Sequence, residues 1–452
     1  MRVHVLSLGC ARTLVDSECL AGILGQAGHT ITDQLETAEC VVVNTCSFIR
    51  PAEEESIATV LELADWKKSG RLKRLYVAGC LPQKRRKEKE DLLTLLPEVD
   101  GFLGTGDLPQ LPRLIAEQEA KGRFFVASPV STLLFDSHIP RRRLTARHFA
   151  YLKISEGCDH ACSFCSIPQF RGPHRSREME DLVREAEGLA SQGVVELNLI
   201  GQDTSTYGTD RYGRARLPEL LERLCGVPGI RWIRLLYAHP ANVSEELIRA
   251  LRDCPNVVKY IDVPLQHIND ELLSAMRRET DGLTIRRLID RLREAVPGIA
   301  IRSTFIVGFP GETEKQFQEL ASFLQETRLE RVGIFPFSSE PKTSAERLPN
   351  PVLEKVKQER FQHLMEIQKR VAEELNQRWM NRSLEILVDE PDSDPQVWLG
   401  RSYADAPEVD GQVFLRSPQP LRPGTFVQAR VVDAYEYDLV AEPVAEVVES
   451  RG

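Results

Sequence analysis

The sequence lacks any long apolar run. None of its hydrophobic stretches approaches the roughly 18 residues that a membrane-spanning helix needs. The start, MRVHVLSLGC, turns polar too early for a secretion signal. Hydrophobic residues make up 42% of the chain and charged residues 28%, a balance typical of a soluble protein with a sizeable core. We therefore expect a cytoplasmic protein that makes no contact with a membrane.

A dense cysteine framework is also lacking. The 452 residues include ten cysteines, which fall into one tight group and scattered single positions. Small secreted domains space their cysteines much more closely, so a disulfide scaffold is not indicated. In a reducing compartment such thiols are candidates for metal ligation or catalysis.

Lysine is missing from the C-terminal region. Residues 381–452 hold six arginines and no lysine against fourteen carboxylates, although the whole chain carries a net charge of only −9. Gripping phosphates requires Lys and Arg, so this region is a poor candidate for nucleic-acid binding. It suits a basic protein partner better, and the alternative is that the acidic surface only aids solubility.

Apolar runs divide the chain into three regions. Over 1–135 short apolar runs alternate with helical patterns, which is typical of a parallel sheet with crossover helices. A second βα series over 145–380 predicts an open parallel (βα)6 barrel, with its site at the carboxyl ends of the strands. Residues 381–452 switch to short β runs between turns and predict a small antiparallel barrel. The fold class is therefore α/β with a terminal β domain, and 121–149 reads as a linker.

Three cysteines follow the first predicted strand of the barrel. Cys158, Cys162 and Cys165 have the spacing C-x3-C-x2-C, and no fourth cysteine lies nearby. Three thiolates can hold three irons of a 4Fe–4S cluster and leave the fourth iron free to bind a molecule other than protein. The alternative is a zinc site completed by His160 or by a distant residue.

The pattern C-x3-C-x-aromatic-C, with Phe164 as the aromatic residue, resembles the signature of the radical S-adenosylmethionine (SAM) enzymes. The resemblance implies that the open iron chelates the amino and carboxylate groups of SAM. It also implies one-electron cleavage of SAM to methionine and a deoxyadenosyl radical. Further matches fall at the ends of predicted strands, and the resemblance implies SAM contacts for these residues: Phe164, Gly201, Gln202, Asp203, Gln266 and Gly308.

Three isolated cysteines occupy equivalent places in the N-terminal region. Cys10, Cys46 and Cys80 each follow an apolar strand pattern and a small residue. Because the carboxyl ends of parallel strands share one edge of a sheet, these thiols could converge on a second cluster that is again one ligand short. The alternative is three unrelated buried thiols, since free cysteine is among the most buried residue types.

Taken together, the two cysteine sets resemble the methylthiotransferases, a branch of the radical SAM enzymes with a second N-terminal cluster and a C-terminal TRAM domain. The resemblance covers essentially the whole chain. Several segments are similar to the enzymes that act on an aspartate of the twelfth small-subunit ribosomal protein: SLGCARTLVDSE, NTCSFIRPAEEES, GQDTSTYGTD and RSYADAPEVDG. One departure is the Ala-Arg-Thr at 11–13, where Pro-Lys-Asn is usual.

This resemblance implies two 4Fe–4S clusters, SAM, and a one-electron donor such as flavodoxin. It implies the twelfth small-subunit ribosomal protein, free or in the ribosome, as the partner, and no direct tRNA substrate. One SAM would methylate sulfur at the N-terminal cluster, and the radical from a second would abstract hydrogen from the β-carbon of the aspartate. The alternative is methylthiolation of an adenosine beside the tRNA anticodon.

The acidic C-terminal region gives a further expectation. Asp405, Glu408 and Asp410 lie close together in it, and ribosomal proteins are strongly basic. Surfaces of opposite charge mainly raise the rate of association. We expect these three carboxylates to dock the protein substrate, the alternative being that they serve the fold, with Asp410-Gly411 forming a turn.

Overall fold

A computed structural model describes residues 1–131 and 133–444. In these residues two parallel sheets, each flanked by helices, precede a closed β-barrel. This arrangement confirms the predicted α/β class with a small terminal β domain. No helix in the described ranges combines the length and the apolar character needed to cross a membrane.

The N-terminal sheet has the strand order β2-β1-β3-β4-β5-β6, and every pairing in it is parallel. Crossover helices join the strands, as the alternating apolar pattern predicts. The strands are β1 (Arg2–Ser7), β2 (Thr30–Ile31), β3 (Cys40–Thr45), β4 (Arg74–Gly79), β5 (Gly101–Gly104) and β6 (Phe124–Val126). The helices are α1 (Ala11–Gln26), α2 (Arg50–Lys68), α3 (Cys80–Lys84), α4 (Lys89–Leu95) and α5 (Leu111–Lys121).

The central sheet runs β14-β13-β12-β11-β10-β7 in space and is parallel throughout. Its strands are β7 (Phe149–Lys153), β10 (Glu196–Ile200), β11 (Trp232–Leu235), β12 (Val257–Asp262), β13 (Ala300–Val307) and β14 (Arg331–Pro336), with a separate hairpin of β8 (Ser155–Glu156) and β9 (Arg175–Ser176). The helices are α6 (Ile167–Arg171), α7 (Met179–Ser191), α8 (Thr209–Tyr212), α9 (Leu217–Cys225), α10 (Glu245–Asp253), α11 (Asp270–Ala275), α12 (Gly282–Ala295), α13 (Glu314–Thr327) and α14 (Glu354–Asn376). The two end strands do not pair, so the barrel is open, as predicted.

A closed barrel forms the C-terminal region, in the order β15-β16-β17-β19-β18. Its pairings are antiparallel except for β17 with β19. The strands are β15 (Ser383–Pro391), β16 (Val397–Arg401), β17 (Val413–Arg416), β18 (Phe426–Ala434) and β19 (Leu439–Pro443). Closure leaves no strand edge open to another chain.

The two faces of the central sheet bury different partners. Along β7, Ala150 and Leu152 pack with the surrounding helices, whereas Phe149 and Tyr151 point to the other face. That inward face packs against α1 and against residues 402–411, which we call the crossing segment because it runs from the C-terminal barrel across the open sheet. Elements from both ends of the chain therefore fill the interior of the open barrel.

Two predictions about elements are wrong. The region 121–149 is not a linker throughout, because β6 pairs with β5 as the edge strand of the N-terminal sheet. The run Val397–Arg401 was not predicted as a strand, yet it pairs with both β15 and β17. The edge strand β6 and the barrel strand β16 are both short. The polar residues beside them hide the alternating apolar pattern that would predict a strand.

Two of the three carboxylates expected to dock the substrate are buried against the central sheet. Asp405 is buried and lies 2.5 Å from Arg331. Asp410 accepts hydrogen bonds from the hydroxyl of Tyr260 at 2.7 Å and from Nε of Arg302 at 3.3 Å. These two carboxylates hold the crossing segment to the central sheet, which supports the alternative that they serve the fold. Glu408 is exposed, and its docking role stays a prediction.

Candidate functional site

Cys10, Cys46 and Cys80 lie at neighbouring strand ends. Cys10 caps α1 just after β1, Cys46 follows β3, and Cys80 opens α3 directly after β4. Since β1, β3 and β4 are adjacent parallel strands, their carboxyl ends align at one edge. Gly9, at φ +99°, packs so closely that a Cβ there would come within 2.5 Å of Cβ of Cys46.

Two guanidinium groups contact these thiols. Nε of Arg12 donates to Sγ of Cys10 at 3.4 Å, and Nη2 of Arg171 donates to Sγ of Cys80 at 3.3 Å. Burial raises the pKa of the Cys10 thiol, but the charge and hydrogen bond of Arg12 outweigh it and lower the pKa to about 6. Burial, with the nearby Cys80 and Cys10 thiols, raises the pKa of Cys46 to about 12. Arg12 thus favours the thiolate form of Cys10, which is the form that binds metal. By contrast, burial raises the pKa of Cys80 despite Arg171.

Cys158, Cys162 and Cys165 lie on the loop between β8 and α6. The loop is anchored to the central region because Ser163 donates from its backbone to the carbonyl of Met276 at 2.9 Å. Burial raises the pKa of Cys158 and of Cys165 to about 12. Nη1 of Arg278 donates to Sγ of Cys162 at 3.4 Å, so this set of thiols also has a cation beside it.

A single zinc ion is not favoured at either set. In the part of the chain that the structure describes, no three His, Cys, Asp or Glu side chains converge on one metal position. The candidate fourth ligand, His160, donates from Nε2 to the carboxylate of Asp203 at 2.7 Å and stacks on His239 with 4.0 Å between ring centroids. A cluster spreads its thiolates over separate irons and needs no such convergence, so the donor chemistry fits iron and sulfur better.

A cavity of about 340 Å³ opens beside the barrel cysteines. Its wall contains three buried polar atoms without a hydrogen-bond partner among the described residues: Oε1 of Gln202, Nε2 of His239 and Nε of Arg278. Buried polar groups are normally paired, so unpaired ones facing a cavity indicate a polar ligand. The cavity therefore fits a zwitterionic molecule with further donors and acceptors, such as SAM.

Most of the residues that sequence reasoning assigned to SAM line this cavity. Phe164, Gln202, Asp203 and Gln266 lie in its wall together with the three barrel cysteines. Gln266 has φ +72°, a conformation that a side chain other than glycine rarely adopts and that is concentrated at functional sites. Gly201 lies behind the wall, with its carbonyl bonded to Arg12.

Gly308 is not brought to the cavity. Its φ is +73°, and a Cβ there would meet Cγ of Lys357, on α14, at 2.3 Å. Its N–H donates to the carboxylate of Glu312. The structure therefore gives Gly308 a role in packing α14 rather than a place beside the barrel cysteines.

Sequence reasoning missed several cavity residues. Arg12, Tyr237, His239, Arg278 and Arg302 all lie in the wall. Burial with the nearby charge of Arg278 lowers the pKa of His239 to about 3, so the ring is neutral. Tyr237 lies at the end of a predicted barrel strand and His239 directly follows it, and that position was the signal that could have found them.

A buried charge network joins the two cysteine sites. Lys153 donates to the carboxylates of Asp16 and Glu156, and Arg171 donates to the same pair at 2.7 and 3.2 Å. Burial alone would raise the pKa of Glu156, but Lys153 and Arg171 hold it at about 2. Because Arg171 also donates to Cys80, the network fixes α1 and the N-terminal thiols against the barrel loop.

Family models match three segments of the chain. The Radical SAM superfamily matches residues 152–324, the Uncharacterized protein family UPF0004 matches 2–104, and the TRAM domain matches 382–444. The ribosomal protein uS12 methylthiotransferase RimO of Heliobacterium modesticaldum is 45% identical over 447 residues, covering 99% of this chain and 96% of that protein. The protein of the same name from Thermoanaerobacter sp. is 45% identical over 440 residues, covering 97% and 99%.

The chain belongs to the RimO family. It is a radical SAM methylthiotransferase with a TRAM domain, which confirms the resemblance drawn from the cysteine spacing. Within this RimO-family chain, the radical SAM match covers the barrel cysteines and the cavity, and the first match covers Cys10, Cys46 and Cys80.

Solved structures share the fold of this RimO-family chain. TsrM, a radical SAM methyltransferase from Kitasatospora setae with tryptophan substrate and a SAM analogue bound, has a TM-score of 0.53 at 16% identity and covers 74% of this chain and 72% of its own. OxsB, a cobalamin-dependent SAM radical enzyme, has a TM-score of 0.52 at 13% identity and covers 81% of this chain and 56% of its own. At such identities the likeness shows the fold alone.

Proposed function

We propose that this chain attaches a methylthio group to the β-carbon of an aspartate in ribosomal protein uS12. The observation that carries the proposal is the pairing of two three-cysteine sites with near full-length identity to the RimO proteins, whose names specify uS12. The specificity for aspartate rests on the sequence resemblance and on the chemistry of the cavity. Cytoplasmic location and a one-electron donor such as flavodoxin belong to the same proposal.

Two 4Fe–4S clusters are proposed as resident cofactors. Cys158, Cys162 and Cys165 would hold the first, beside the cavity that would take SAM, and the N-terminal thiols would hold the second: Cys10, Cys46 and Cys80. When bound, these groups supply the one-electron cleavage of SAM and the sulfur that is transferred. Acid–base side chains cannot break an unactivated C–H bond, which is why the chemistry needs them.

Side chains of the cavity wall would bind the ligand and orient it. Gln202, His239 and Arg278 supply unpaired polar atoms to a ligand in the cavity. Asp203 holds His160, which stacks on His239 and thereby fixes the ring that lines the wall. Phe48 and Phe164 contribute apolar surface, which helps to exclude water from the reacting groups.

The experiment removes one cysteine set at a time. We expect alanine replacement of Cys10, Cys46 and Cys80 together to abolish methylthio transfer to uS12 while SAM is still cleaved, because cleavage requires only the barrel set. Replacement of Cys158, Cys162 and Cys165 should abolish both. Iron analysis after anaerobic reconstitution gives the loading of each variant, with roughly four irons expected per remaining site.

The proposal fails if the unaltered, fully folded chain binds only one cluster, or if the N-terminal triple variant loads its barrel site and yet forms no deoxyadenosine. Replacing Cys19, a buried core thiol on α1, by alanine serves as the matched control, since it removes a thiol without touching either set. This variant should retain both clusters and methylthio transfer.

A further inference from the structure

Arg12 lies between the two cysteine sites. Its Nε contacts Sγ of Cys10 at 3.4 Å, and its Nη1 donates to the carbonyl of Gly201 at 2.9 Å. The same side chain lines the cavity beside the barrel cysteines. A single guanidinium group therefore touches the N-terminal site on one side and the SAM cavity on the other.

Arg12 has no carboxylate partner among the described residues. Arg171 lies within 3.2 Å of Asp16 and Glu156, and Arg302 lies within 3.3 Å of Asp262 and Asp410. By contrast, no carboxylate among the described residues lies within 4.0 Å of Arg12. Its acidic neighbour is the Cys10 thiol at Nε, which leaves Nη2 of this partly buried cation available to an anion.

Arg278 also lacks a carboxylate partner, but it is placed differently. Its guanidinium donates to Sγ of Cys162 and to the carbonyl of Pro264, both on the barrel side. It therefore has no contact with the N-terminal thiols. Arg12 alone of the two reaches both cysteine sets.

Two further side chains complete this part of the wall. The Arg12 guanidinium lies over the ring of Tyr237, 4.4 Å from its centroid, and Arg302 lines the same cavity. Tyr237 has φ +60°, a strained conformation for an aromatic residue. Within the described chain its phenolic oxygen has no hydrogen-bond partner. We call Arg12, Tyr237 and Arg302 the Arg12 corner.

We propose that the Arg12 corner binds the side-chain carboxylate of the substrate residue, an inference that rests on the proposed function. Nη2 of Arg12 and the phenol of Tyr237 offer two donors to one carboxylate, and Arg is the residue best suited to that geometry. The β-carbon of an aspartate is bonded directly to its carboxylate carbon. Holding the carboxylate here would place that carbon between the cavity and the N-terminal thiols.

The Arg12 corner would also determine specificity. An adenosine carries no carboxylate, and an asparagine presents N–H groups where the corner already presents donors. A site built to pair with one polar group rejects the analogue that lacks it, because its own buried groups are then left unpaired. The corner thus selects an aspartate over its neutral analogues.

The test is a double-mutant cycle between chain and substrate. The probes are two fluorescent peptides copying the uS12 loop, one with the reacting aspartate and one with asparagine at that position. We expect the loaded, unaltered chain to bind the aspartate peptide about tenfold more tightly, and Arg12→Gln to bind both peptides equally. Arg214→Gln, at an exposed arginine far from the cavity, is the matched control and should keep the preference.

Anisotropy under anaerobic conditions gives the four dissociation constants, and iron analysis gives cluster loading. Equal binding of the two peptides by the unaltered chain would overturn the proposal, whatever the variants do. So would a full aspartate preference in Arg12→Gln, because Arg12 would then serve only the Cys10 thiolate. If Arg12→Gln loads no iron, Tyr237→Phe takes its place, with a reduced preference supporting the corner and an unchanged one overturning it.

The experiments give different results if the proposed function is wrong than if only the Arg12 corner is wrong. If the unaltered chain methylthiolates uS12 but shows no preference between the peptides, only the Arg12 corner is wrong. If it binds neither peptide, leaves uS12 unmodified and methylthiolates tRNA, both proposals are overturned.

Discussion

At the scale of single residues, the close contact of Gly9 with Cys46 governs whether the N-terminal thiols can converge. A Cβ at Gly9 would lie 2.5 Å from Cβ and 2.9 Å from Sγ of Cys46. The backbone there has φ +99°, which disfavours any side chain. Both effects push the first cysteine loop away from the second.

We therefore predict that Gly9→Ala loses iron at the N-terminal site and keeps it at the barrel cysteines. Gly28→Ala is the matched control, because Gly28 has φ +89° but no atom within 4 Å of the added Cβ. It should cost only about 1–2 kcal/mol of stability and keep both clusters. Iron content and melting temperature of the two variants are the measurements. Equal iron in both variants would show that the contact is unimportant.

The two candidate ligand sets could be proposed at this scale, because the spacing of the barrel cysteines and the strand-end positions of the N-terminal ones lie in the sequence itself. The positions of Arg12 and Arg302 were not predictable in the same way. Arg12 is separated by 189 positions from Gly201, whose carbonyl it contacts. A contact of that kind depends on how two domains pack, which local patterns do not encode. Gly308, whose turn matched a family pattern, packs on α14 and is not in the cavity wall, so its contact with SAM stays a prediction.

At the scale of elements, the crossing segment ties the C-terminal barrel to the interior of the central sheet. Asp405 pairs with Arg331 and Asp410 with Arg302, and all four side chains are largely buried. Removing one partner of a buried pair leaves an uncompensated charge. The segment is thus part of the wall that supports Arg302 in the cavity.

We predict that Asp405→Lys destabilises the chain by on the order of 3–5 kcal/mol or more, because it places two cations together in a buried site. Glu390→Lys is the matched control, since Glu390 is an exposed carboxylate of the same barrel and should change stability by less than about 0.5 kcal/mol. Denaturant unfolding followed by circular dichroism compares them. Equal midpoints for the two variants would contradict the structural role of Asp405.

Strand and helix periodicity predicted nearly all the elements of the two parallel sheets. The fully buried strand β3 has an apolar run, CVVV, that is hard to mistake. The exceptions, β2 and β6 in the N-terminal sheet and β16 in the terminal barrel, are short, and three-dimensional pairing rather than local propensity decides their conformation. The crossing segment has no periodicity, so its burial could not be read from its acidic composition.

At the scale of the whole molecule, a charged contact joins the C-terminal barrel to the first strand of the central sheet. Nε2 of His148 donates to Asp389 at 2.7 Å, and Arg401 reaches the same carboxylate at 2.8 Å. Burial alone would raise the pKa of Asp389, but His148 and Arg401 hold it below its ordinary value. Folding therefore favours the ionised form of this carboxylate.

The lowered pKa of Asp389 determines how the stability of the fold changes with pH. A carboxylate whose pKa falls on folding stabilises the fold fully above its unfolded-state pKa of about 3.9, and the stabilisation is lost as the pH falls below that value. We predict that Asp389→Asn lowers the melting temperature at about pH 7 and that the difference from the unaltered chain shrinks towards about pH 3.5. A difference that stays constant over that range would contradict the coupling.

Because the crossing segment packs inside the open barrel, deleting the C-terminal region would not test substrate recognition alone. Deleting 381–452 would remove the crossing segment and expose the inward face of the central sheet. Loss of activity in such a chain would report loss of the fold rather than loss of substrate recognition. Tests of function therefore require the full chain.

The measurement that tests the central proposal most directly is mass spectrometry of uS12 after anaerobic incubation with the cluster-loaded chain, SAM and a one-electron reductant. The account predicts that fragmentation finds one methylthio group in place of hydrogen on a single aspartate. It further predicts that uS12 with this aspartate changed to asparagine is not modified. Unmodified uS12 in a reaction that cleaves SAM, or a methylthio group found on tRNA instead, would contradict it.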